Sequence, residues 1–283
     1  MEVSRVVSVL IPAHDEEAFL PGCVEALLAS EPLAKEWQIE VLVIANGCTD
    51  DTADIARSFA KQAEAAGWAW RVLELSKGGK LGALNAGDKA AGGDIRVYID
   101  ADVTVAPSLL AKLVAALDTD QPRYASGIPQ VAPAISMASR AYGQFWQTLP
   151  FVTDGVPGFG IFAVNIAGRE RWKTWPDIIS DDTFARLSFT PDERIRVSAG
   201  YVWPMVEGFG NLVRVRRRQN KGVEEIARLH PDLLANDDKR KIGPGGLIGR
   251  LLQDPVGFAV YAAVGIATKT PIYRSRIRWV RGR

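Results

Sequence analysis

Four short apolar runs punctuate the first third of the chain: Val6–Ile11, Val41–Ala45, Arg71–Leu75 and Ile95–Ile99. Each ends in a polar or glycine-rich turn. Each turn is followed by a stretch whose apolar residues recur at helical spacing. Strands that alternate with helices in this way need crossover connections, and crossovers join parallel neighbours. The pattern therefore predicts an α/β fold with a mainly parallel central sheet flanked by helices. It also gathers the polar strand ends along one edge, where open α/β sheets bind ligands.

The turns differ in chemistry. The first reads Pro12-Ala13-His14-Asp15-Glu16-Glu17, and Pro21 then opens a helix with Val24, Leu27 and Leu28 on one face. The second reads Asn46-Gly47-Cys48-Thr49-Asp50. Asp50 suits an N-cap, Asp51 and Asp54 suit the helix dipole, and Gly67 suits the stop of a helix striped by Ile55, Ala56, Phe59, Ala60 and Ala63. The third, from Lys77 to Gly87, sets bare glycine N–H groups beside lysines at a helix start, which suits a phosphate. It lacks the G-x-x-x-x-G-K-[ST] pattern.

The fourth turn carries the sharpest signal. Val97-Tyr98-Ile99 stops at Asp100-Ala101-Asp102. If the extended backbone persists, residues two apart face the same way and both carboxylates meet one ligand. Paired hard oxygen anions call for Mg²⁺ or Mn²⁺, held together with substrate phosphates. The alternative is a solvated polar strand end.

Beyond Gln121 charges thin out and aromatics gather: Tyr124, Tyr142, Phe145, Trp146, Phe151, Phe159 and Phe162. They fit either a core or an apolar acceptor or membrane-facing surface. The loop Gly155–Gly160 marks a close backbone approach. In Ile178–Leu187, Ser180 with Asp181 and Asp182 reads as a capped helix start, or as a general base with a neighbour that tunes it. Arg214, Arg216, Arg217, Arg218 and Lys221 fit a solvated face or a diphosphate clamp.

With net charge +1, the chain as a whole predicts no polyanion and no nucleic acid as partner. Its two cysteines, Cys23 and Cys48, are expected as free thiols in a reducing cytosol. No secretory signal is expected, since acids arrive before any long apolar run. Leu247–Thr268 is broken at Asp254-Pro255 and is too short to span a bilayer. Lys269–Arg283 holds six basic residues, no acid, and interleaved Ile277, Trp279 and Val280. This end predicts either attachment to an anionic membrane surface or packing on the preceding domain.

Taken in order, PAHDEE, ANGCTDDT, GGKLGALNAG, DAD, GFG and SDDTFARL resemble the motifs of glycosyltransferase family 2, inverting enzymes with the GT-A fold. The resemblance runs from Val6 to about Gly222. It implies a Rossmann-like GT-A sheet with a helical, basic C-terminal extension. It implies nucleotide contacts from Pro12, Ala13, Glu16, Asn46, Lys80, Asp100, Ala101 and Arg218, with Asn46 standing where many members have aspartate. Asp102, with Asp100, would hold the divalent cation. Asp182 would be the catalytic base and Asp181 its neighbour, in place of the family's glutamate. The synthase motif Q-x-x-R-W is absent, the comparable stretch being VRRRQ, so processive synthesis is not expected.

The expected division is residues 1–105 for the nucleotide sugar, 106–222 for the acceptor and 223–283 as an extension for membrane-surface attachment. The expected reaction moves a sugar from a nucleoside-diphosphate sugar, UDP-sugars favoured, to a hydroxyl on a free or lipid-linked acceptor. The setting would be cell-envelope, exopolysaccharide or glycolipid synthesis, in the cytoplasm or on the inner face of the plasma membrane. The competing readings are a sugar-1-phosphate nucleotidyltransferase and a non-catalytic nucleotide-sugar binder at a membrane.

Overall fold

The structure, a computed structural model, describes residues 5–240 and 242–273. Among these residues one sheet contains β1 (Arg5–Ala13), β2 (Trp37–Asn46), β3 (Ala69–Leu75), β4 (Ile95–Ile99), β5 (Thr104–Val105), β6 (Tyr124–Val131), β7 (Ile161–Asn165) and β8 (Arg194–Trp203). The helices are α1 (Leu20–Leu28), α2 (Thr52–Ser58), α3 (Ala60–Ala65), α4 (Lys80–Ala90), α5 (Leu109–Leu117) and α6 (Met137–Trp146). They continue with α7 (Pro150–Thr153), α8 (Ile166–Arg169), α9 (Asp181–Leu187), α10 (Phe209–Leu229), α11 (Pro244–Gln253) and α12 (Pro255–Ala267).

Strand order is β3-β2-β1-β4-β7-β6-β8-β5. The β1–β2, β2–β3 and β1–β4 pairs are parallel; β4–β7, β6–β7 and β5–β8 are antiparallel. This is the mixed α/β sheet of the GT-A fold. Val7, Val9, Leu10 and Ile11 of β1 and Val41 to Ile44 of β2 are wholly buried. Such continuous apolar runs belong to strands covered on both faces. Gly87 lets α4 lie close on the sheet, since a Cβ there would stand 2.8 Å from Leu10 and 3.0 Å from Ile44. The order reverses between β1 and β4, which sends one crossover to each side and opens a crevice at their carboxyl ends.

The chain packs as two units. One runs to Ile128 and adds Gly158–Asp177 and Ser188–Val202; the other holds Pro129–Pro157, Ile178–Leu187 and the chain from Trp203 onward. The first contains the parallel strands. In the second, α6 is the centre of an aromatic cluster. Phe145 meets Phe258 and Tyr261, Tyr142 meets Tyr261, and Trp146 stacks on Trp203. Tyr124, Tyr142, Phe145, Trp146 and Phe162 are buried, so most of the aromatic segment is core.

The arginine-rich stretch lies on α10, and two of its members serve the C-terminal helix. The Arg217 guanidinium donates to the carbonyls of Ala267, Thr268, Thr270 and Ile272, satisfying groups that α12 leaves open at its end. Arg216 donates to the Tyr261 hydroxyl at 3.1 Å. The face of α12 that carries Phe258 and Tyr261 is therefore packed on protein. No helix among the described residues is long and apolar enough to cross a membrane. The tail from Arg274 to Arg283 lies outside the described residues.

Candidate active site

Three carboxyl-terminal strand ends and one glycine loop build the site in the first unit. The β4 strand stops at Ile99, and the backbone turns at once: the Val103 amide donates to the Asp100 carbonyl at 3.0 Å. The extended spacing that would aim Asp100 and Asp102 alike does not continue past the strand. A turn instead sets both carboxylates at the strand end, each half-buried, around the buried Ala101. The Gly160 carbonyl accepts the Asp100 amide at 2.8 Å. Gly158 can approach only because it has no side chain: its φ is +70°, and a Cβ would stand 1.7 Å from the Tyr124 hydroxyl. The glycine loop expected from sequence thus buttresses the acidic turn.

Lys80, the first residue of α4, reaches the same turn, its Nζ lying 2.8 Å from Asp100 Oδ1. The loop before it is held by Asn46. This buried amide donates to the Ala13 carbonyl at 2.7 Å and to the Ile44 carbonyl at 3.3 Å, and accepts the Gly79 amide at 2.9 Å. Both Asn46 donors are therefore engaged within the protein, and the residue is 2% exposed. Gly47 permits the contact between the β2 turn and this loop: its φ is +59°, and a Cβ would stand 2.4 Å from the Gly78 amide nitrogen.

On the β1 side, the Glu16 amide donates to the Thr52 hydroxyl at 2.7 Å, while the Glu16 carbonyl starts α1 by accepting from Phe19 and Leu20. Pro12 is half-buried and Ala13 is buried under this turn. Cys23, buried on α1, donates to the Asp100 carbonyl at 3.7 Å. Burial first, then the charges of Asp100 and Glu16, push its thiol up to about 12. The Cys23–Asp100 contact ties α1, which follows β1, to the end of β4. His14, Asp15 and Cys48 form a separate group whose potential ligand atoms lie within 4.8 Å of one another. Its thiol and imidazole are softer donors than the all-oxygen pair at β4.

Both cysteines are free, as expected. Only thiolate alkylates rapidly. Iodoacetamide at pH 8 should therefore label Cys48 in the native protein and spare Cys23 until denaturant is added. Peptide mass mapping reads this directly, and rapid native labelling of Cys23 would contradict the buried placement.

Beneath the site lies a network with no sequence signature. Asp88 Oδ2 accepts from Arg169 Nη2 at 2.7 Å and from Trp175 Nε1 at 2.7 Å, and its Oδ1 accepts the Tyr98 hydroxyl at 2.7 Å. The two charged side chains are each 9% exposed. Burial, then the Asp88 charge, hold the Tyr98 phenol well above its ordinary pKa, so it stays a donor. Tyr98 is on the strand that ends in Asp100, and Asp88 is on the helix that starts at Lys80. The network fixes those two elements to each other.

In the second unit, Asp181 and Asp182 open α9; Asp181 is buried and Asp182 half-buried. The turn is braced from below. The Ile179 amide donates to Glu225 at 2.8 Å, and Gly222 leaves room for Ser180, whose hydroxyl would be 2.1 Å from a Cβ there. Arg186, in the last turn of α9, pairs with Asp237 at 3.0 Å and Asp238 at 2.6 Å. Burial draws Lys239 below its ordinary pKa, against the charges of Asp237 and, more weakly, Asp182. Arg218 stands half-buried on α10.

Fold and strand-end chemistry together define a GT-A-type protein with an acidic turn at the β1–β4 crevice. The family model described as glycosyl transferase family 2 matches residues 8–182. The chain belongs to that family. It is 31% identical over 115 residues to the undecaprenyl-phosphate 4-deoxy-4-formamido-L-arabinose transferase of Salmonella paratyphi A, a match covering 40% of this chain and 34% of that protein. The aligned part thus spans about a third of that relative's length. Among solved structures, the mannosyltransferase PcManGT from Pyrobaculum calidifontis, in complex with GDP-Man and Mn²⁺, superposes with a TM-score of 0.60 at 18% identity, covering 94% of this chain and 76% of that one. TarS 1-349 of S. aureus, in complex with UDP-GlcNAc, gives 0.52 at 14% identity, over 93% and 81%. These two share the fold.

Proposed function

We propose that this chain is an inverting glycosyltransferase that moves a sugar from a nucleoside-diphosphate sugar, UDP-sugars favoured, to a hydroxyl acceptor in cell-envelope, exopolysaccharide or glycolipid synthesis. The observation that carries the proposal is the Lys80–Asp100 pair, with Asp102 beside it, at the crevice between β1 and β4. Residues 1–105 would bind the donor, residues 106–222 the acceptor, and residues 223–283 would form the extension. Pro12, Ala13 and Glu16 would line the nucleoside side. Asn46 would shape it by holding the glycine loop. Ala101 would flank the ribose, and Arg218 would meet the diphosphate.

Asp100 and Asp102 suit a divalent cation, Mg²⁺ or Mn²⁺, because both offer hard oxygen donors at a half-exposed turn next to a lysine that partly offsets their repulsion. A cation there would neutralise charge on the departing nucleoside diphosphate. Lys80 would exchange its Asp100 partner for a phosphate oxygen as donor binds. Asp182 would accept the proton of the attacking hydroxyl, whose approach from the far face inverts the anomeric carbon. The reaction would take place on the cytoplasmic side of a membrane, with the protein held peripherally and the acceptor presented on a lipid; the lipid-linked substrate in the name of the Salmonella relative supports that reading.

The test is turnover. UDP- and GDP-sugars are incubated with Mg²⁺ or Mn²⁺ and lipid-linked acceptors, and product configuration is read by NMR. The proposal expects acceptor-dependent release of nucleoside diphosphate with inverted product. A retained configuration rejects the mechanism, and binding of donor without any turnover favours a nucleotide-sugar binder.

A further inference from the structure

Among the described residues, α11 is the one α-helix with no buried residue. None of its ten residues is buried, and four of them are large and apolar: Leu247, 45% exposed, Ile248, 58%, Leu251, 40%, and Leu252, 77%. At 3.6 residues per turn these four fall within an arc of roughly 140°. Arg250 lies on the opposite flank, where its guanidinium donates to the Thr148 carbonyl at 3.1 Å, tying that flank to protein. Val256, just past the Asp254-Pro255 break, extends the apolar surface and is 65% exposed. A ten-residue helix is marginal in water on its own. Its apolar face needs a partner.

Charge indicates which partner. Residues 239–283 hold ten Lys and Arg and one acid, Asp254, whereas residues 1–238 hold 24 Lys and Arg and 32 Asp and Glu. The near-neutral whole chain is thus an acidic body with a strongly basic end. Aliphatic side chains on one arc of a helix, with basic residues before, within and after it, match the interface of an anionic bilayer. A nucleic acid would use the charge and leave Leu247, Ile248, Leu251 and Leu252 in water.

We propose that α11 is the element that enters an anionic membrane surface, lying in its plane with the Leu247–Leu252 arc among the acyl chains and the exposed Arg240 that precedes it at the headgroups. The proposal rests on the peripheral-membrane reading above and places the anchor on α11 and not on α12, whose aromatic face is packed on α6. The basic tail would add charge without being the wedge.

The experiment is flotation of the full chain with vesicles of phosphatidylcholine and phosphatidylglycerol at three to one, and with phosphatidylcholine alone, at low and high salt. The parent should float with the anionic vesicles and be released by salt. Ile248→Asp together with Leu252→Asp should lower the bound-to-free ratio at least tenfold, with melting temperature and nucleotide-induced stabilisation unchanged, since both side chains are exposed. If the double variant floats as well as the parent, α11 is not the anchor although the membrane reading stands. If the parent binds no vesicle at low salt, both fall. If, without lipid, the parent is a dimer and the double variant a monomer, the face belongs to a second copy and the proposal is wrong.

Discussion

Replacing Asp182 by asparagine is expected to lower sugar transfer by about 10²–10⁴-fold, the usual worth of a positioned general base. Nucleoside-diphosphate affinity should be unchanged, because the proposed base would act on the acceptor and not on the donor. The substitution keeps volume and changes only charge and basicity at a half-buried position in the first turn of α9. Asp181→Asn should behave differently. Asp181 is only 5% exposed, so its loss should appear chiefly in stability, with a smaller fall in rate. Steady-state kinetics and nucleotide titrations on both variants decide the matter. The opposite ranking would make Asp181 the base.

The second large effect is on folding. Asp88→Ala should destabilise the protein by about 3–5 kcal/mol, because it strands the buried Arg169 guanidinium without its counter-charge. At about 2–4 °C per kcal/mol for a chain of this size class, the melting temperature should drop by roughly 6–20 °C. The Tyr98 hydroxyl and the Trp175 indole lose their acceptor as well. Asp88→Ala combined with Arg169→Met should cost less than the two single losses added together, since the pair fails as a unit. Thermal and urea unfolding of the three variants measures this. A shift for Asp88→Ala no larger than that of an exposed substitution would mean that the network does not hold α4 to β4.

What the sequence made legible follows from locality. Three of the parallel strands, β1, β2 and β4, announce themselves through apolar runs, because their residues are largely buried and their turns are polar; β3, at the sheet edge, has no buried residue and gives a weaker signal. The acidic turn and the glycine–lysine loop announce themselves through residue types that only backbone geometry or ligand chemistry requires. Other features depend on partners distant in the chain. The β6 strand contains glycine and proline, YASGIPQV, and lies as a strand between β7, which pairs with it at Tyr124–Val164 and Ala125–Ala163, and β8. The stripe expected from Ile55 to Ala63 reads as one helix, yet the chain breaks it at Phe59 into α2 and α3. Arg169 and Asp88 stand 81 residues apart, and neither lies in a motif. Arg216 and Arg217 read as solvent face or diphosphate clamp, yet they bond Tyr261 and the end of α12, a role set by where that helix returns. Asn46 draws notice in the sequence at the end of β2, but only the fold reveals that its amide ties Ala13 to Gly79.

The account depends most on the acidic turn as the place where a divalent cation meets a nucleoside diphosphate. Calorimetric titration of UDP and GDP into the protein, with Mn²⁺ and with chelator, probes it directly, repeated on Asp102→Asn. Binding of at least one diphosphate should require the cation, and the variant should lose at least tenfold in affinity with Mn²⁺ while matching the parent in chelator. Equal affinity with and without the cation, or an Asp102→Asn variant that binds as the parent does in Mn²⁺, would contradict it.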